Sequence, residues 1–179
     1  MSMLGHTLLN NVVNDISDFT AANILTELRI RVKAALRQKG YDGETRDGMD
    51  ISLCIFDPQK KTINYAGAYN PLFIIRDNEL NVYSADKMPI GVYLREDDFT
   101  DNFIDLEKND MLYIFSDGFH DQLGGGKNSK FLIKNFKTLV LEVSSSPANL
   151  QKQILTDRIS LWKNEIPQTD DMLVIGIRI

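Results

Sequence analysis

At 179 residues, 43% of them hydrophobic and 25% charged, the chain is long enough to bury one sizeable core and too ordinary in composition to be disordered or fibrous. Its 20 Lys and Arg against 25 Asp and Glu leave a net charge of -5, which offers no general attraction to nucleic acid or anionic lipid. A single cysteine excludes an internal disulfide, and no apolar run approaches the ~20 residues that cross a bilayer, so the sequence reads as a cytoplasmic protein without nucleic-acid or membrane contact.

Met1, Leu4, Leu8 and Val12 recur at helical spacing, widened by Leu9 and Val13, and predict an amphipathic helix from the first residue. After a polar joint over residues 15–19, Thr20 predicts the cap of a second helix. Its buried stripe is Ala21, Ile24, Leu25, Leu28, Val32, Ala35 and Leu36, and Gly40 ends it. Arg29, Arg31, Lys33, Arg37 and Lys39 fall largely off that stripe and read as a solvated face.

From Tyr41 the pattern changes to strands and turns. Asp42-Gly43 and Asp47-Gly48 are turn signals, and residues 51–56 predict a buried strand holding the Cys54 thiol. Asp57-Pro58 turns it into a hairpin partner over 62–66. A second hairpin, 72–75 with 80–83, crosses at Asp77-Asn78, and residues 99–106 alternate as a half-buried strand. Lys108-Asn109-Asp110 then leads into a buried central strand over 111–115, stopped by Ser116-Asp117-Gly118.

Gly124-Gly125-Gly126 reads as a flexible loop, either simple slack or backbone open to a ligand. Leu132, Phe136, Leu139, Val140 and Val143 mark a third helix, Ser146-Pro147 supplies the cap and first-turn proline of a fourth, and Trp162 closes it. Pro167-Gln168-Thr169 breaks the pattern, and Asp170-Asp171 opens a last strand over 172–179. A helix pair, a run of strands, a second helix pair and a final strand predict one α+β domain over residues 1–179, its sheets mainly antiparallel and its helices packed outside them.

Asp117 ends one strand and Asp170 begins another. If those strands pair antiparallel, both carboxylates reach one sheet edge, where opposite residues stand ~5 Å apart. Gathered carboxylates repel unless a cation compensates them, and a set dominated by aspartates suits Mg²⁺ or Mn²⁺ better than zinc. Asp171 adjoins the pair, and Asp121, four residues after Asp117, joins if the turn doubles back. On local sequence alone, the same acidic pairs also suit solvated turns.

Taken in order, the motifs carry a resemblance. Ser116-Asp117-Gly118, then Thr169-Asp170-Asp171-Met172 before a closing Leu-Val-Ile-Gly-Ile strand, resemble the last two metal motifs of the metal-dependent (PPM, type 2C) protein phosphatases. The stage II sporulation protein E branch is the nearer match. Asp47-Gly48-Met49-Asp50, Tyr65-Ala66-Gly67-Ala68-Tyr69-Asn70-Pro71 and Met88-Pro89-Ile90-Gly91 add to it, the last two resembling that family's Ala-Gly-His-Asn-Pro-Pro and Pro-Leu-Gly loops.

The resemblance implies an α-β-β-α sandwich, two Mn²⁺ or Mg²⁺ ions, and hydrolysis of serine or threonine phosphoproteins by metal-activated water. The usual substrate in the family is a phosphorylated anti-sigma-factor antagonist. Carried over by motif, Asp117 and Asp170 are catalytic metal ligands and Asp121 a ligand of a further ion.

Two departures stand out. Ala68, Tyr69 and Asn70 replace the loop's usual residues. The family's first strands and its Asp-x-x-Gly-His-Gly motif, which provides the bridging aspartate, would precede Met1. The sandwich is therefore expected to be incomplete at its N-terminal strands, with weakened metal binding, impaired turnover and an open sheet edge suited to dimerisation or strand exchange. Two other readings remain: a non-catalytic regulatory or binding module keeping the fold, and an unrelated two-metal phosphoesterase.

Overall fold

The computed structural model describes residues 1–39, 47–126 and 128–179. The expected helix stop at Gly40 and turn at Asp42-Gly43 lie outside them. In chain order the elements are α1 (Ser2–Asp15), α2 (Ala21–Ala35), β1 (Ile51–Asp57), β2 (Thr62–Ala68), β3 (Leu72–Arg76), β4 (Glu79–Tyr83) and β5 (Asn102–Asp105). Then come β6 (Met111–Phe115), the single turn α3 (Gly118–Asp121), the two-residue strands β7 (Leu123–Gly124) and β8 (Ser129–Lys130), α4 (Ile133–Val143), α5 (Ala148–Lys163) and β9 (Val174–Arg178). Helices are segregated from antiparallel strands, the α+β class expected. The residues sort into two compact units, Met1–Leu72 with Tyr83–Leu106 and Phe73–Val82 with Glu107–Ile179.

In the first unit, Thr20 caps α2 as its sequence foretells, its Oγ1 accepting from the Asn23 N–H at 3.3 Å. Ile24, Leu25, Leu28 and Val32 pack with Val12 of α1 and with Ala66 and Ala68 of β2. The helix stops at Ala35, before Gly40, and Arg37 takes a left-handed φ of 54° just beyond it.

Arg29 corrects the solvated-face reading. It is only 6% exposed, its guanidinium lies 5.0 Å from the Phe99 ring centre, and Nη1 reaches Met88 Sδ at 3.2 Å. The reason is helical geometry: residue 29 follows Leu25 by four and precedes Val32 by three, so it shares their face. Arg31 and Lys33 do lie outside, paired with Asp15 and Glu27 and with Glu96.

The three-stranded sheet runs β1-β2-β5, with β2 in the middle. As an edge, β1 is half-buried rather than buried, and Phe56 is exposed. Burial pushes the Cys54 thiol up to about 11, its bond with Ser52 opposing only in part, so it is an inert thiol at neutral pH. The strand expected over 99–106 contracts to β5, with Ile104 buried and Phe103 outside.

The second unit holds the sheet β4-β3-β6-β9, in which β6 is interior as its apolar run demands. β3 turns into β4 at Asp77 and Asn78, both left-handed (φ 50° and 62°), the backbone a two-residue hairpin requires. Phe73, Tyr113 and Phe115 on one sheet face pack against Phe136, Leu139 and Val143 of α4 and Leu155 and Ile159 of α5. Pro147 is itself the N-cap of α5, and Leu132 is an exposed N-cap with φ 74° instead of a core residue. Nor is Gly124 slack: a β-carbon there would stand 2.6 Å from Trp162 Nε1, so the indole packs directly on its backbone.

Candidate metal centre

β6 and β9 pair antiparallel with Phe115 opposite Val174, which sets the tail of one strand beside the head of the other. Beyond the last paired residues a side chain continues the ladder. Ser116 Oγ donates to the Asp171 carbonyl at 2.8 Å and accepts from the Leu173 N–H at 2.9 Å, while the Ser116 N–H donates to the Leu173 carbonyl at 3.0 Å. Gly118 lies against the same segment. A β-carbon there would fall on the Asp171 carbonyl oxygen and stand 2.8 Å from its carbon and 3.3 Å from the Asp170 carbonyl carbon, so the closeness depends on glycine.

Asp117 and Asp170 thus flank one backbone junction, and both are exposed. The Asp170 carboxylate accepts from the Asp171 N–H at 2.7 Å. Asp121 sits one turn after Asp117, its N–H donating to the Asp117 carbonyl at 2.9 Å. Its carboxylate is engaged elsewhere, 2.6 Å from Lys130 Nζ, because the β7–β8 pairing of Leu123 with Lys130 folds the chain back beside α3.

His120 lies between the two aspartates in sequence. Its ring meets Phe115 edge-on at 6.0 Å, and its Nδ1 is buried without a hydrogen-bond partner. Burial, chiefly, with a smaller push from Lys130, holds its pKa below the ordinary histidine value against the pull of Asp121 and Asp117. It is therefore a neutral packing group at pH 7.

Among the described residues, no three His, Cys, Asp or Glu side chains are gathered as a metal site. The donors at the β6–β9 junction are hard oxygens, which fits Mg²⁺ or Mn²⁺, ions content to keep several waters. Their number leaves most of the coordination to other oxygens. The motif residues of the first unit lie together in their own way: Met49 and Ile90 exchange backbone bonds of 3.2 and 2.9 Å, and the buried Gln38 donates to the Asp47 carbonyl at 2.7 Å while accepting from the Val92 N–H. Sequence reasoning placed Ser116 in the strand-ending motif but not as the clasp of the seam, and gave no role to Gln38 or Lys130, for which the sequence carried no signal.

A family model for stage II sporulation protein E (SpoIIE) matches residues 1–179. The chain belongs to the SpoIIE family. It is thereby homologous to the PPM-type serine/threonine phosphatases, as the motifs implied.

Solved structures share this fold at low identity. The SiaA-PP2C domain of Pseudomonas aeruginosa is 21% identical with a TM-score of 0.89, covering 99% of this chain and 68% of its own. The PP2C phosphatase domain of SpoIIE from Bacillus subtilis, with a fragment of its regulatory domain, is 20% identical with a TM-score of 0.71, covering 98% of this chain and 48% of its own. The catalytic domain of the serine/threonine phosphatase PstP, in complex with two manganese ions, is 14% identical with a TM-score of 0.60, covering 98% of this chain and 78% of its own. The chain thus spans about two thirds of the first and about half of the second. Comparison with curated proteins gave no match. No helix among the described residues is long and apolar enough to cross a membrane.

Proposed function

We propose that residues 1–179 act as one PPM-type phosphatase domain on serine or threonine phosphoproteins, with Asp117 and Asp170 holding a divalent cation at the β6–β9 junction. The observation that carries this reading is the junction itself: two motif aspartates from distant parts of the sequence flank a seam closed by Ser116 and Gly118. A divalent cation held there would supply Lewis acidity toward water and a phosphoryl oxygen. Ser116 fixes the approach of the two strand ends, Gly118 permits it, and the exposed carboxylates keep it open to a protein-borne phosphate. Asp121 serves a further ion only after release from Lys130. A phosphorylated signalling protein of the anti-sigma-factor-antagonist kind is the substrate class that SpoIIE membership favours, and the single cysteine suits a reducing cytoplasm.

Two carboxylates hold a hard ion more weakly than a full acidic set, because affinity follows ligand charge count. The expected result with a phosphoserine peptide is slow hydrolysis that rises with Mn²⁺ and disappears in Asp117→Ala and in Asp170→Ala. Hydrolysis indifferent to Mn²⁺, or unchanged in both variants, would overturn the proposal. The Lys130 grip on Asp121 also favours a second reading, a regulatory module that binds a protein partner without turnover. Partner binding that persists with no Mn²⁺ binding by calorimetry would select it.

A further inference from the structure

We infer, independently of any phosphatase role, that Tyr69 and Tyr93 of the first unit form an aromatic corner whose occupant is an arginine side chain of a protein partner. Tyr69, one of the residues that depart from the usual loop, holds a left-handed φ of 59°. Asparagine or glycine takes that conformation far more readily than a bulky aromatic residue. Backbone bonds impose it: the Tyr69 N–H donates to the Asp86 carbonyl at 3.0 Å, the Asp86 N–H to the Gly67 carbonyl at 2.9 Å, and the Tyr65 hydroxyl to the Asn70 carbonyl at 2.8 Å. Asp86 is itself clamped, its carboxylate accepting from both the N–H and the hydroxyl of Thr100. A large residue kept at a costly backbone angle by this many bonds points to a use for its side chain. Packing does not supply one, because Tyr69 is 39% exposed and lies outside the apolar core of its unit.

The Tyr69 ring instead meets that of Tyr93 edge-on, 6.2 Å between centres. Tyr93 is equally exposed and equally fixed. It follows the Met88-Pro89-Ile90-Gly91 loop, where Gln38 accepts from the Val92 N–H and Glu96 from the Tyr93 N–H, both at 3.2 Å, while Lys33 holds Glu96 in turn. The hydrogen bond between the two hydroxyls, with some burial and the negative charge of Asp50, pushes the Tyr69 pKa up to about 12. The phenol is therefore neutral at physiological pH.

Charge decides what such a corner receives. An edge-on pair leaves ring faces open, and the face of an aromatic ring is its negative side. The surroundings have the same sign: the segment 93–98 carries Glu96, Asp97 and Asp98 against Arg95, which is engaged by Asp97 at 2.9 Å. Even with Lys33 drawn in, the balance stays acidic, and Asp50 adds to it. Open aromatic faces beside carboxylates select a cation. Arginine suits them best, because its flat, weakly hydrated guanidinium stacks on a ring while its N–H groups reach a phenol oxygen or a carboxylate. Leu94, next in the chain and 85% exposed, offers apolar surface to the partner around that arginine.

Aromatic proton–carbon NMR spectra of the full chain, titrated with the peptide acetyl-Gly-Arg-Gly-Arg-Gly-amide, test this. Both tyrosine rings should shift saturably with a millimolar Kd. The twin peptide with citrulline for arginine keeps the shape and loses the charge, and it should bind about threefold more weakly or worse. Tyr69→Asn is the deciding variant, since asparagine accepts the left-handed backbone: its Tm should equal or exceed that of the parent while peptide affinity falls by about threefold or more. Tyr93→Leu should lose affinity to the same extent. Arginine and citrulline peptides that bind alike, shifts confined to other residues, either variant binding as tightly as the parent, or a Tyr69→Asn that loses several degrees in Tm would overturn the inference.

Discussion

Gly118→Ala probes the seam on which the proposed site rests. The added methyl would overlap the Asp171 carbonyl and crowd the Asp170 carbonyl carbon, both backbone atoms that cannot swing aside like a side chain. Relief requires the segment before β9 to retreat by roughly an ångström, which stretches the Ser116 Oγ bonds to Asp171 and Leu173 from 2.8 and 2.9 Å past useful length. Two such bonds at about 1 kcal/mol each give a loss of about 2 kcal/mol, within the usual range for overpacking. For a chain of this size that is a fall in Tm of roughly 4–8 °C.

Gly126→Ala is the control, because a β-carbon there meets nothing within 4 Å, and its stability should change by less than about 0.5 kcal/mol. Thermal unfolding of both variants, with Mn²⁺ titration alongside, is the assay. Equal Tm values for Gly118→Ala and Gly126→Ala would refute the reasoning about the seam. A destabilised Gly118→Ala that keeps unaltered Mn²⁺ binding would separate the seam from the metal.

Arg29→Ala should lower the urea unfolding free energy by about 2 kcal/mol through lost packing on Phe99 and Met88. Arg31→Ala, which loses only surface ion pairs, should cost under about 1 kcal/mol. Burial alone would raise the Asp110 carboxyl, but the two-point bond from Arg76 and the Glu107 N–H outweigh it and hold it below the usual carboxylate range. Its stabilisation is therefore present above about pH 4 and lost as pH falls through the depressed folded value, so the stability gap between wild type and Asp110→Asn should shrink in acid urea titrations. His120 is depressed instead, so below about pH 6.5 the unfolded chain takes up its proton first and stability falls. His120→Phe should flatten that slope and leave the alkaline side unchanged, as read by Tm against pH.

Much of this protein was legible in its residues, because local rules act over short spans. Thr20 announced its helix, Asp77-Asn78 its hairpin, and the run over 111–115 an interior strand, each through a periodicity or turn preference that needs no distant partner. Ordered motifs also carried the family. Other features were hidden for identifiable reasons. Arg29 looked solvated because composition outvoted helical phase, and Gly124 looked slack because the indole it packs against lies nearly forty positions away. The half-exposure of β1 follows from its place at a sheet edge, which no strand pattern encodes.

The same division runs through the candidate site. The sequence by itself determined which carboxylates are available, since Asp117, Asp121 and Asp170 are fixed by motif and by strand ends. Tertiary structure alone decided their company: the β6–β9 register set Asp117 beside the segment of Asp170, whereas the fold-back of β8 gave Asp121 to Lys130. Donor identity is a local property of the chain, but the closeness of Asp117 to the segment of Asp170 depends on a strand pairing about sixty residues apart, and the partner of Asp121 on the β7–β8 fold-back, neither of which the donor residues specify.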